Sequence, residues 1–394
     1  MKKYVIISKD ALCCDYLTLY GEKKCSSNTP NIIELANKGT LFKNHYTAAP
    51  STVMSFYSMC TGIYSHDTDY QMYEKKRYAV DCETIFTRVR DLGYEECHLI
   101  WDPDWDVLLE YFDYFRDDVT IHSFDGFRES VGVHKKTEGE MFYDSEKEKE
   151  TFDRIEALMK TLLTSDKSTF VWIHFPHVIR GHACYGADIS LFDRYVGMIR
   201  KYIDDEYIAI TADHGNMNGS KGKLAYGHDV YNKAIKIPLI APRIADVSIC
   251  ERNTSSTDLF EILFSKQIPM SEFVYSDSAY RAQKNRKLAI LYGKYKYIYN
   301  KKDKTEELYD LEYDPDENFS IMSDVLFDVD RKINISIREQ YYYPYWSELP
   351  RIRSFLREQR KKIWRNGTAS VVFKSWLKDL VRPIYRRLIK LIKK

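Results

Sequence analysis

Three short apolar runs in this chain each stop at residues that can hold a cation or a phosphate. Tyr4–Ile7 leads to Asp10, Phe170–Ile173 leads to His174 and His177, and Tyr207–Ile210 leads to Asp213 and His214. Unbroken apolar runs this short read as strands buried on both faces, the pattern of a parallel sheet. Stretches with helical spacing lie between them. Asn31–Lys38 opens on Thr29-Pro30 in N-cap and N1 positions, and Lys147–Leu163 and Ile189–Ile203 follow. Strands alternating with helices predict a doubly wound α/β fold with a mostly parallel sheet, whose ligands gather beyond the carboxyl ends of the strands.

The 394 residues, 44% of them hydrophobic, suffice for one large α/β domain and an appendage. The α/β pattern fills residues 1–268. From 269 to 330 it gives way to a β-rich unit, in which Leu288–Leu291 and Tyr295–Tyr299 flank Gly293 like a hairpin. Residues 331–394 form an aromatic and then basic tail. From Arg351 onward, 15 lysines and arginines face two acids, Glu358 and Asp379, a net charge of +13; the first 350 residues carry −12. A wholly basic nucleic-acid binder is therefore excluded for the main body, and no nucleic-acid module accompanies the tail. Val371–Ile392 is amphipathic at helical spacing, with Trp376 among its apolar residues and Pro383 as a kink. Such a helix suits an anionic membrane surface, or docking on the acidic main body.

Eight scattered cysteines without a C-x-x-C pair point to neither a zinc ribbon nor a disulfide framework, and they fit a reducing compartment. With no secretory apolar segment and no membrane-spanning run, the expectation is a cytoplasmic protein, peripheral on the inner membrane face if the tail binds lipid.

Asp213-His214-Gly215 is the most informative tripeptide. A carboxylate and an imidazole at one strand end suit Zn²⁺ or Mn²⁺, and the glycine lets the backbone turn away. Asp10 adds a second carboxylate at another strand end. Thr52, after Pro50-Ser51, begins an apolar segment that reads as a helix to Thr61 closing at Gly62. A hydroxyl there meets the positive end of a helix, and a bound metal would make it a nucleophile. Local sequence taken alone favours the plainer reading, that Ser51 or Thr52 caps the helix.

Several segments, in order and spacing, resemble the sulfatase-like branch of the alkaline phosphatase superfamily. They are Tyr4–Gly21, Thr29–Ala36 with Gly39–Phe42, Tyr46–Pro50, Thr61–His66, Thr211–Gly215, Ala234–Ile240, Gly293–Ile298 and Glu307–Pro315. The resemblance implies that Asp10, Thr52, Asp213 and His214 surround one divalent ion, Zn or Mn ahead of Mg or Ca. Thr52 occupies the position of the family's catalytic Cys or Ser, and formylglycine cannot be made from threonine. The Pro and Arg of the modification motif are Met54 and Phe56, the second Asp of the usual pair is Ala11, and His228 stands where sulfatases carry a substrate-binding Lys. These departures are similar to the phosphoryl-transferring relatives, the lipoteichoic acid synthases and phosphoethanolamine transferases. They imply a phospho-threonine intermediate, released by water or by a hydroxyl of a glycan or lipid-linked sugar. His177 and His182 are candidate substrate contacts, and their spacing is loosely similar to a second-metal segment that would carry Asp where His177 stands. His228 is a candidate leaving-group acid or phosphate contact. His174, His45 and His66 read as structural. A sulfate-ester hydrolase and a degenerate membrane-bound scaffold are the competing readings.

Overall fold

The structure is a computed structural model. It describes residues 1–21, 27–64, 83–101, 119–123, 131–133, 141–143, 145–176, 182–278, 286–322, 325–328, 333–336 and 345–366. An eight-stranded sheet contains β1 (Lys3–Lys9), β2 (Thr40–Tyr46), β3 (Glu96–Trp101), β4 (Thr120–Ser123), β5 (Thr169–Phe175), β6 (Ile208–Ala212), β7 (Lys236–Ala241) and β8 (Ile249–Ser255). Their order across the sheet is β8-β2-β7-β6-β1-β5-β3-β4. Every neighbour pair is parallel except those of β7, which runs against both β2 and β6. The doubly wound, mostly parallel sheet read from the sequence is the observed one.

Side-chain alternation divides the core into two layers. Val5, Ile7, Val171, Ile173 and Ile210 point to one face; Tyr4, Ile6, Phe170, Trp172 and Ala209 point to the other. The first face is covered by α1 (Pro30–Lys38), α3 (Ser145–Thr164) and α4 (His182–Ile199); the second is covered chiefly by α2 (Thr52–Thr61). Pro30 takes N1 of α1 as expected, but the Thr29 side chain makes no cap. Asp193 of α4 accepts from the backbone N–H groups of Asn31 and Ile32 at 3.3 and 2.9 Å, so the cap arrives from the neighbouring helix.

A separate antiparallel sheet follows, formed by β9 (Val274–Asp277), β10 (Lys287–Tyr292), β11 (Tyr295–Asn300) and β12 (Thr305–Asp310). Gly293, with φ 55°, makes the hairpin turn between β10 and β11. Leu349, Leu356 and Ile363 of α5 (Leu349–Asn366) pack on Leu288, Ile290 and Tyr297. The compact part of the chain thus reaches Asn366, past the boundary near 330 suggested by composition. The reason is that α5 is apolar on one face and basic on the other. The amphipathic stretch Val371–Ile392 lies outside the described residues. Among the described residues, no helix is long and apolar enough to cross a membrane.

Candidate functional site

β1, β2 and β6 deliver their following residues to the same edge of the sheet. Asp10 follows β1, Asp213 and His214 follow β6, and Thr52 starts α2 six residues beyond β2. All four side chains are buried. His214 Nε2 lies 3.6 Å from Asp10 Oδ1, 3.4 Å from Asp213 Oδ2 and 3.1 Å from Thr52 Oγ1. His214 Nδ1 is 2.7 Å from the carbonyl of Gly215. A carbonyl can only accept, so Nδ1 carries a hydrogen, which leaves Nε2 as the ring atom that faces Asp10, Asp213 and Thr52. The Thr52 hydroxyl is within hydrogen-bond distance of that nitrogen.

Asp213 has one oxygen satisfied and one not. Oδ1 accepts from the N–H groups of Ala11 and His214, at 3.0 and 2.7 Å. Oδ2 and Asp10 Oδ1 are buried with no hydrogen-bond partner. Asp10, Asp213 and His214 offer donor atoms all within 4.8 Å of one another, the one such group of three among the described residues. Two carboxylates and an imidazole lone pair converging in a buried pocket are costly unless a cation sits among them. The donor set, hard oxygens with one nitrogen, fits a divalent ion of the zinc or manganese type.

The supports of this arrangement are specific. Ser55, one helical turn after Thr52, donates to the Asp213 carbonyl at 2.5 Å and receives the Thr47 hydroxyl at 2.9 Å. This bolts the start of α2 to the end of β6. Ser51 is the N-cap by position, but its hydroxyl makes no cap bond; Thr52 is inside the helix, facing His214. Gly62 closes α2 in the left-handed conformation, at φ 71°. Gly215 does not take a left-handed turn. A Cβ there would overlap the carbonyl oxygen of Lys233, so the glycine serves close approach of two backbones. Ala11, at φ 58°, is held by its N–H on Asp213 and by Tyr185, whose hydroxyl donates to its carbonyl.

His174 is buried, 2.8 Å from Ser8 Oγ through Nδ1 and stacked on Trp101. Its Nε2 comes within 4.0 Å of Asp213 Oδ2, so this histidine, expected to be structural, borders the site. His45 is buried beside Thr254, at 2.9 Å, as a structural residue would be. His228 is exposed, two residues past Tyr226, whose ring lies 4.3 Å from that of His214. His182 is the first residue of α4, with its side chain outside the described set; His177 and His66 lie outside the described residues. Sequence reasoning missed Ser55 and Tyr226. The three-residue spacing from Thr52 to Ser55 was a usable signal, since it returns to the same helix face; nothing marked Tyr226.

Known proteins share this framework. The chain is 25% identical over 226 residues to the choline-sulfatase of Rhizobium meliloti (strain 1021), a match covering 48% of this chain and 43% of that protein. This chain thus spans less than half the length of that relative. The fold is similar to that of a 2-O GAG sulfatase, with a TM-score of 0.64 at 15% identity and 93% of each chain covered. It is also similar to the phosphonate monoester hydrolase of Agrobacterium radiobacter, with a TM-score of 0.61 at 14% identity, covering 93% of this chain and 96% of that one. At such identities these structures speak for the fold. Residues 2–262, a stretch holding all four converging side chains, match the Sulfatase family, and the chain belongs to that family.

Proposed function

We propose that this member of the sulfatase family is a metal-dependent enzyme of phosphoryl-type transfer, working through a covalent intermediate on Thr52. The observation that carries the reading is a threonine hydroxyl, not a convertible Cys or Ser, 3.1 Å from His214 Nε2 at the start of α2. Asp10 Oδ1, Asp213 Oδ2 and His214 Nε2 would hold one divalent ion, zinc or manganese by donor type. When bound, the ion supplies positive charge that lowers the pKa of the Thr52 hydroxyl and offsets charge on phosphoryl oxygens.

Thr52 Oγ1, its proton released to solvent, attacks phosphorus, and the bond to the leaving oxygen breaks as the new O–P bond forms. His228 gives a proton to the leaving oxygen. Water, or a sugar hydroxyl, gives its proton to His228 as it attacks phosphorus, and the bond to Thr52 Oγ1 breaks; the first outcome is hydrolysis and the second is transfer. The free N–H groups and dipole at the start of α2 favour the negative charge that builds there. The substrate class is a glycan or lipid-linked sugar bearing a phosphoglycerol- or phosphoethanolamine-like substituent. The basic segment 371–392 would keep the enzyme at an anionic membrane surface.

The second reading, sulfate-ester hydrolysis, is favoured by the similarity to a choline-sulfatase. Parallel assays on an aryl phosphodiester and an aryl sulfate separate the two. The proposal expects higher kcat/KM on the phosphodiester, and the reverse ranking would overturn it.

A further inference from the structure

His228 sits in a segment held at both ends. On one side the Tyr226 ring lies 4.3 Å from the His214 ring, tilted by 31°. On the other side Asp229 is buried, and its Oδ1 accepts from Lys223 Nζ at 2.6 Å and from Lys287 Nζ. Between them Gly227, at φ 84°, makes a left-handed turn that a side chain would resist. The segment therefore holds His228, an exposed residue, between two fixed points.

The two lysines come from different parts of the fold. Lys223 lies in the loop after β6, whereas Lys287 opens β10 of the small antiparallel sheet. One carboxylate thus joins the loop beside His214 to the second sheet. That sheet also touches the approach to Thr52: the Asp277 N–H donates to the Ala48 carbonyl at 3.0 Å. Arg286 holds Asp277 in turn, its Nε 2.8 and 2.7 Å from the two carboxylate oxygens.

We propose that Asp229, clamped by Lys287 and Lys223, is a positioning residue for His228, which makes the small sheet a working wall of the active site. The inference rests on the reading of His228 as the acid that protonates the leaving oxygen. Its energetic logic is that of a buried ion cluster. A carboxylate at 4% exposure is stable in charged form with two ammonium groups on it, and neutralising it leaves those two facing one another. Burial pushes the Asp229 carboxyl up, but the hydrogen bonds from Lys223 and Lys287 outweigh it and the net shift is downward. The clamp therefore stays closed through the neutral range.

The test compares leaving groups in the full-length, metal-loaded protein. A 4-nitrophenyl ester needs no protonation of its leaving oxygen, whereas an alkyl ester does. His228→Gln should lose about a hundredfold or more on the alkyl phosphodiester and far less on the nitrophenyl one. Asp229→Asn and Lys287→Met should show the same selective loss, smaller in size, with partial rescue in Lys287→Arg. The His228→Gln/Asp229→Asn double variant should be no worse than His228→Gln alone, because both act through one group. Equal losses on both esters, or additive losses in the double variant, would overturn the clamp. If the wild type cleaves sulfate esters in place of phosphodiesters, the phosphoryl reading fails, and the same comparison on aryl and alkyl sulfates still judges the clamp. Independently of turnover, amide hydrogen exchange across 226–229 should accelerate in Asp229→Asn and Lys287→Met; unchanged exchange would refute the proposal.

Discussion

The Thr52 hydroxyl lies 3.1 Å from Nε2 of His214, although 162 residues separate them in the chain. Their meeting follows from topology. Thr52 opens the helix after β2 and His214 ends the turn after β6, and these strands run the same way on either side of the antiparallel β7. Thr52→Ala removes the proposed nucleophile and little else, since Ser55 keeps α2 bolted to Asp213. Turnover should fall to background while the thermal midpoint and metal content stay near wild type. Thr52→Ser should retain measurable activity. Full activity in Thr52→Ala would reject the assignment.

Asp10→Asn should separate the cost of the empty cradle from its use. Without metal, Asp10 Oδ1 and Asp213 Oδ2 are buried without hydrogen-bond partners, so removing one charge relieves repulsion. The metal-free variant should melt higher than the metal-free wild type. Added Zn²⁺ or Mn²⁺ should raise the wild-type midpoint by mass action and the variant's far less. Calorimetric melting with and without chelator checks both signs.

Gly215→Ala tests backbone approach. A Cβ at this position overlaps the Lys233 carbonyl, to which no flexible side chain can yield. The substitution should cost about 1–3 kcal/mol in urea unfolding and depress metal binding, because His214 moves with it. A variant of unchanged stability would show that the two backbones part easily.

His45 supplies a pH dependence unconnected to catalysis. Burial lowers its pKa from 6.5 to about 3. Between those values the unfolded chain binds a proton that the folded one does not, so stability falls as pH drops through that window, by about 1.4 kcal/mol per unit. Above the unfolded value the contribution is constant. His45→Asn keeps a partner for Thr254 but cannot titrate, so its urea-unfolding free energy should decline less steeply than wild type from pH 6 to 4.5. Parallel slopes would contradict the burial argument.

What the sequence disclosed, and what it withheld, divides along chain distance. Asp213-His214-Gly215 was legible because two donor types and a small residue are contiguous behind an apolar run. The parallel sheet was legible because Tyr4–Ile7 and Phe170–Ile173 are apolar at every position and so need burial on both faces. The role of Gly215 was misjudged: the turn it was expected to allow is a close contact with Lys233, 18 positions later. The cap of α1 was credited locally to Thr29, but it comes from Asp193 on another helix. The link from Asp229 to Lys287 joins a loop residue to a strand 58 positions later, and neither residue type announces it. Hydrophobic period is written locally; polar pairing across elements is not.

The account turns on a covalent bond to one oxygen. Metal-loaded enzyme mixed with an aryl phosphodiester, quenched in acid within the first turnovers and digested, should yield the Thr52 peptide carrying the retained phosphoryl group by mass spectrometry. The same adduct should be missing in Thr52→Ala and diminished after chelation. Sustained turnover with no adduct on Thr52, or an adduct on Ser51 that persists in Thr52→Ala, would contradict it.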